Sequence, residues 1–389
     1  MPINPLNALT DRWRKACLDI LHWWMTYAID RAGPGFYGEV NNLNLPGFSA
    51  PKGLVMHARI LWSFATAYAY FREEALIETA YLAEQILEQY FHDTRYEGYY
   101  WKLHADYQIA DSRKMLYGQA FVLYAYVALF QATHHPRWLS KACALFETIE
   151  QHCGPFVPYN EAFNESWQIP ADSRLDVHEP QFAYSLNAQL HLMEAYTALY
   201  KVYPDTRLLQ RLLQLGAFIQ EKLYSSSHLI LWVDRSLQPV SQAFSPGHEI
   251  ETAWLLMDML EHTQQTNEKI KRMAFRLGYQ VRQHMHAHDG LMEPIVPAEK
   301  QWWAQAEAMT GFLRLYILSH DKAFLQATAY MWRLIDRYFI DHTRGEWFWG
   351  VDEHNQILPH RYKAGFWKGP YHAVRALLQP SIVDKTNGG

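Results

Sequence analysis

The chain has 389 residues, 49% apolar and 19% charged, which is enough apolar material for a large buried core. A formal net charge of −5 without a lysine/arginine cluster argues against a nucleic-acid partner, and the lack of an 18-residue apolar run excludes a membrane-spanning helix. Three scattered cysteines (Cys17, Cys143 and Cys153), and a start Met1-Pro2-Ile3-Asn4-Pro5 without basic and apolar stretches, point to a cytoplasmic protein with unpaired thiols.

Helical periodicity dominates, and no long alternating strand pattern competes with it. It predicts helices at 9–29, 54–72, 75–90, 115–132, 137–150, 182–200, 205–223, 248–264, 267–285, 304–318, 322–340 and 369–378. Short breaks such as His134-His135-Pro136, Val202-Tyr203-Pro204-Asp205 and Ser319-His320-Asp321 divide them into pairs, with proline or aspartate where a new first turn begins. The longer breaks set glycine beside aromatics, as in Gly35-Phe36-Tyr37-Gly38, Gly98-Tyr99-Tyr100-Trp101 and Gly345-Glu346-Trp347-Phe348-Trp349-Gly350. Long and short loops in alternation imply helical hairpins that share one functional end. Six hairpins closed on themselves make an all-α (α/α)6 barrel, with residues 1–389 as a single domain. An open solenoid is the alternative, but its terminal caps should be more polar than these. The 15 Trp, 25 Tyr and 19 Phe residues serve packing, and aromatic faces also stack on sugar rings.

Several residues are polar exceptions on apolar helices. Arg59 lies in Met56-His57-Ala58-Arg59-Ile60-Leu61-Trp62, where a guanidinium needs anionic partners or ligand oxygens. His191 follows Asn187 in a strongly apolar stretch, with Glu194 three residues on as its expected partner. His248 opens a helix after Pro246-Gly247, with Glu251 and then Trp254 at three-residue steps; packing against Phe244 is its purely structural reading. Trp302-Trp303-Ala304-Gln305-Ala306-Glu307 sets two indoles beside an amide and an acid, as a sugar subsite requires. His372 stands at the mouth of the last helix, after Trp367 and Pro370-Tyr371. Two histidines in one pocket act as acid or base near neutral pH. Metal and nucleotide motifs fail. His248-Glu249-Ile250-Glu251-Thr252 lacks the second histidine of a zinc protease, His284, His286 and His288 fit a solvated helix end, and no phosphate loop is present. Paired carboxylates among Asp172, Asp176, Glu251 and Glu307 keep a glycoside hydrolase open, and aromatic walls alone would suit a noncatalytic sugar-binding barrel.

The order and spacing of these segments resemble the N-acylglucosamine 2-epimerase superfamily, most closely its cellobiose 2-epimerase branch, over essentially the whole chain. Ala58-Arg59-Ile60-Leu61-Trp62, Tyr117-Gly118-Gln119-Ala120-Phe121, Glu161-Ala162-Phe163, Leu190-His191-Leu192-Met193-Glu194, Gly247-His248-Glu249-Ile250-Glu251, Trp302-Trp303-Ala304-Gln305-Ala306-Glu307 and Lys363 through His372 carry the likeness. The resemblance implies an (α/α)6 barrel without a required metal or redox cofactor, acting on a small sugar and inverting C2 through a cis-enediolate; a single compact barrel can function as a monomer, with a homodimer as the alternative. It implies His248 and His372 as the acid/base pair, Arg59 on the enediolate oxygens and His191 orienting the substrate. Glu251, Glu307, Trp303, Trp367, Tyr117, Asn187 and Trp254 are the implied substrate contacts. The chain departs from the branch at Gln189 (histidine there), Ala304 and Phe366 (proline), Gly369 (cysteine) and Ala373 (asparagine). Those departures keep free D-mannose and D-glucose, and mannose–fructose isomerisation, beside the disaccharide as substrates.

Overall fold

Alternate helices differ in how much of their circumference is apolar, and that difference sorts them into two layers. The structure, a computed structural model, describes residues 5–176, 179–225, 227–293 and 298–386. Its helices among these residues are α1 (Pro5–Trp23), α2 (Leu54–Phe71), α3 (Glu74–Ile86), α4 (Leu116–Thr133), α5 (Pro136–His152), α6 (Leu186–Val202), α7 (Thr206–Lys222), α8 (Pro246–His262), α9 (Glu268–His288), α10 (Trp302–Ser319), α11 (Lys322–Tyr338) and α12 (Tyr371–Thr386). The even-numbered helices are buried nearly all round: Leu116 to Leu123 of α4 form an unbroken buried run. The odd ones bury a stripe, such as Phe324, Ala327, Thr328, Met331, Trp332 and Ile335 of α11, and turn charge to solvent.

Each even helix packs against the next, and α12 packs against both α10 and α2, so the inner layer closes. The odd helices lie outside, α1 on α12 and the others each on the even helix before it. The fold is the expected all-α, six-hairpin (α/α)6 toroid. Helix limits shift a little. A π-helical turn, Trp24–Ala28, extends α1, and another, Leu87–Phe91, extends α3. α12 continues to Thr386, past the expected end at residue 378. Among the described residues, no helix is long and apolar enough to cross a membrane. Cys17, Cys143 and Cys153 are free.

The inner helices all begin at one end of the ring, where the long loops enter. Two- and three-residue strands stitch neighbouring loops together there. Lys52–Gly53 pairs with Lys102–Leu103, Lys114–Met115 with Ala162–Phe163, Tyr184–Ser185 with Trp232–Val233, and Lys300–Gln301 with Gly350–Val351. Val40–Asn41 pairs with Tyr362–Ala364, joining the first long loop to the last.

The fourth residue of three inner helices pins a loop in the same way. Gln119 accepts from the Tyr99 N–H at 2.9 Å and donates to the Tyr99 carbonyl at 2.7 Å. Gln189 does so with Tyr159 at 3.1 and 2.9 Å, and Gln305 with Leu291 at 2.9 and 2.7 Å. Each carboxamide imitates a strand partner for a buried backbone unit. Buried lysines add further ties to the loops: Lys114 bonds Asp93 at 2.7 Å, Lys363 bonds Asp341 at 2.8 Å and Lys368 bonds Glu346 at 2.8 Å.

Candidate active site

Because the inner helices start level with one another, residues at equal depth meet on the barrel axis. The sixth residues of α2, α4, α6, α8 and α10 are Arg59, Phe121, His191, Glu251 and Glu307. Tyr117, Asn187, Trp303 and His372 are second residues, one turn nearer the loops, and His248 is the third residue of α8. The histidines, arginine and glutamates singled out in the sequence, with Tyr117, Trp254 and Trp303, are linked by direct contacts there. Asn187 is half-buried at the same depth as Tyr117.

Glu307 accepts from His372 Nδ1 at 2.6 Å through one oxygen and from Trp254 Nε1 at 3.0 Å through the other. His191 Nδ1 bonds Glu194 at 2.8 Å, and its Nε2 lies 3.9 Å from Glu251. These carboxylates converge on Arg375, which donates to Glu307 at 2.6 Å, to Glu251 at 3.0 Å and also to Glu194. Tyr371 donates to Glu194 at 2.6 Å. The chain His191–Glu194–Arg375–Glu307–His372 therefore spans the floor of the chamber, and both histidines are tethered through Nδ1.

Arg375 is a chamber residue that sequence reasoning missed. Its helix was read through its apolar members, although a lone guanidinium among Ala373, Val374, Ala376 and Leu377 is the same signal that marked Arg59. Arg59 is buried as well, but its partners differ. It donates to the Tyr117 hydroxyl at 2.8 Å and the Trp367 carbonyl at 3.0 Å, and its guanidinium carbon lies 4.4 Å from the centre of the Phe121 ring. Among the described residues no carboxylate forms an ion pair with it.

His248 is held from the other side. Its Nδ1 lies 2.8 Å from Ser245 Oγ, which in turn donates to Glu293 at 2.6 Å; the Gly247 N–H donates to the same carboxylate at 2.9 Å. The expected packing of His248 on Phe244 is replaced. Phe244 lies between His228 and His284, while the His248 ring rests 4.8 Å from the indole of Trp303. That indole also touches His372, at 6.0 Å between centres. The spacing His248–Ser245–Glu293 crosses 48 residues, so no local pattern announced it.

Burial sets the protonation states. It lowers His248 and His372 to about 3, with the His191 ring pushing the first the same way and Glu307 partly opposing the fall of the second. Burial lowers His191 too, against the pull of Glu194. Burial would raise Glu307, but Arg375 and His372 outweigh it and hold the carboxylate at about 2. Glu251 goes the other way: burial, then the charge of Glu307, lifts it far above the usual range despite Arg375. One cation thus keeps Glu307 ionised while Glu251 holds its proton. Glu251, Glu307 and His372 each offer one donor within 4.8 Å of the others, the one set among the described residues with metal-like spacing. Arg375 already bonds both carboxylates, which opposes a second cation there.

Outside the chamber the hydrolase candidates separate. Asp172 is ion-paired with Arg174 at 2.9 Å on a loop. His284 and His288 face each other on the last turns of α9, 4.3 Å apart between ring centres.

The sequence model of the N-acylglucosamine 2-epimerase (GlcNAc 2-epimerase) family matches residues 35–376. Cellobiose 2-epimerase of Dictyoglomus turgidum is 34% identical over 92% of this chain and 94% of its own length. That of Bacteroides fragilis is 32% identical over 92% and 95%. The solved structure of cellobiose 2-epimerase from Bacillus thermoamylovorans superposes with a TM-score of 0.90 at 29% identity, covering 97% of this chain and 100% of that one.

Proposed function

This chain belongs to the N-acylglucosamine 2-epimerase family, in its cellobiose 2-epimerase branch, and on that premise we propose that it inverts C2 of a reducing-end sugar. The substrate is a cellobiose- or mannobiose-type β-1,4 disaccharide, whose terminal glucose becomes mannose and the reverse. The observation that carries this reading is Arg59, a buried cation paired with neutral oxygens and ring faces. It shares its chamber with histidines whose Nδ1 atoms are already engaged. An unneutralised guanidinium stabilises an oxyanion, and ring nitrogens left over on Nε2 move protons.

The open-chain sugar presents a C2 hydrogen beside an aldehyde. His372, tied to the ionised Glu307, assists ring opening. One of His248 and His372 takes the C2 proton; the C–H pair becomes a C1=C2 bond and the carbonyl electrons move to O1, where Arg59 meets the charge. After rotation about C2–C3 the other histidine returns a proton to the opposite face. His191 orients the sugar hydroxyls, and Trp303 and Trp367 wall the ring. A single chain suffices, since every group invoked comes from one barrel, so specific activity should not fall on dilution.

Hydrolysis with Glu307 as the acid is disfavoured, because both its oxygens are engaged and Arg375 holds it ionised. The test is incubation with cellobiose, mannobiose, glucose and mannose in heavy water, with products resolved by chromatography. A C2 epimer with its glycosidic linkage intact and one deuterium at C2 is the expected product. Each of H248A and H372A should lose at least about 100-fold in turnover. Full turnover and exchange in both variants would end this assignment.

A further inference from the structure

We propose that Ser245 and Glu293 form a proton relay behind His248, so that the hydrogen removed from the sugar by this histidine is matched by one delivered to Glu293. The inference rests on the epimerase reading and deepens it. A serine hydroxyl has one hydrogen and two lone pairs. The hydrogen goes to Glu293 at 2.6 Å. The two remaining contacts, to the His248 backbone N–H at 3.2 Å and to His248 Nδ1 at 2.8 Å, must then both be donated by His248. Glu293 as carboxylate therefore fixes the tautomer with hydrogen on Nδ1 and a bare Nε2.

The step balances. Nε2 takes the C2 hydrogen, Nδ1 passes its hydrogen to Ser245 Oγ, and the serine hydrogen moves to Glu293. A neutral imidazole, now hydrogenated on Nε2, a neutral serine and a neutral carboxylic acid remain. No imidazolium has to persist in a chamber where burial opposes it. The reverse sequence lets the same histidine donate. The acceptor suits the task. Burial lifts Glu293 to about 7 against the bonds from Ser245 and Gly247, with the charge of Glu249 adding to the rise; Glu249 itself is held by His228. The other titratable groups that face His248 are His191 and Glu307. His372 has a different backing. Its carboxylate, Glu307, is kept ionised by Arg375, so the two reacting histidines are not equivalent.

That asymmetry is the test. The two C2-deuterated epimers of the disaccharide are incubated separately with wild type, E293Q, S245A and S245T, and the loss of label to water is followed. E293Q and S245A should slow label loss about 100-fold from the one epimer that His248 deprotonates, and less than threefold from the epimer served by His372. S245T keeps the hydroxyl and the helix cap, and should recover most of the rate lost in S245A. Equal slowing of both epimers would mark a structural role and overturn the relay, as would unchanged rates. Wild-type protein that washes no label from either epimer would sink the epimerase reading itself. Nitrogen-15 histidine spectra of the wild type give a second readout without turnover. His248 should carry hydrogen on Nδ1 above pH 7 and shift to Nε2 as the pH falls through about 7. Hydrogen on Nε2 at pH 8 would overturn the relay.

Discussion

Arg375 shows how one side chain decides the charge state of a chamber. Its guanidinium bonds Glu194, Glu251 and Glu307, all buried, and lies 4.8 Å from the Trp254 ring centre. Removing it leaves acids whose remaining hydrogen-bond partners among the described residues are histidines held neutral, the Trp254 indole and the hydroxyl of Tyr371. R375M, which keeps much of the volume, should therefore cost about 3–5 kcal/mol of stability, the usual penalty for orphaning a buried charge. Chemical denaturation at pH 7 would measure it, and a loss under 1 kcal/mol would show that the carboxylates find other partners. Arg59 and His191 stood out because each interrupts an apolar run, and His248 and His372 because each stands at the mouth of a helix. Arg375 interrupts an apolar run equally, one turn below His372. Ser245 and Glu293 were illegible: serine before a helix reads as a cap, and only the folded loops bring the carboxylate to it.

At the scale of elements, the level of each inner helix depends on the loop it carries, and the fourth-position glutamines set that level. Gln305 holds both polar groups of the Leu291 peptide unit, and Gln119 and Gln189 repeat the device. Gln189, where the resembled branch has histidine, bonds a loop backbone and Glu161 rather than a chamber residue. Q305L is expected to orphan one N–H and one carbonyl, at about 1–3 kcal/mol each, while leaving the helix intact. Thermal unfolding should show the loss, and circular dichroism at 20 °C should match wild type. An unchanged melting temperature would mean that the loop finds its own partners. The helices themselves were readable because apolar residues recur with helical period and prolines or aspartates mark their starts. The two-residue strands were not readable, since pairing over so short a run leaves no alternation to detect. Closure of the ring could only be inferred, because the contact of α12 with α2 joins opposite ends of the chain.

For the whole molecule, burial of so many titratable groups in one closed ring gives a stability that must turn over with pH. His57, His248 and His372 are all depressed to about 3 from an ordinary 6.5, chiefly by burial. The folded chain binds fewer protons there than the unfolded one, so acid removes stability progressively as pH falls from 6.5 toward 3. Glu307, held at about 2, adds a loss below 4.5 with the same sign. Four glutamates oppose them: Glu251, lifted far above the usual range, Glu161, raised to about 8, and Glu249 and Glu293, raised to about 7, again chiefly by burial. They keep protons that the unfolded chain releases above 4.5, so folding loses stability as pH rises from 4.5 toward 8. The two sets roughly cancel between pH 4.5 and 6.5, which places the maximum there, with a falling limb on each side. Urea midpoints measured from pH 4 to 8.5 should trace that dome, and E293Q, which carries no proton to release, should flatten the alkaline limb. A midpoint that climbs steadily from pH 6.5 to 8 would show that these carboxyls ionise freely in the folded ring, which is incompatible with their burial.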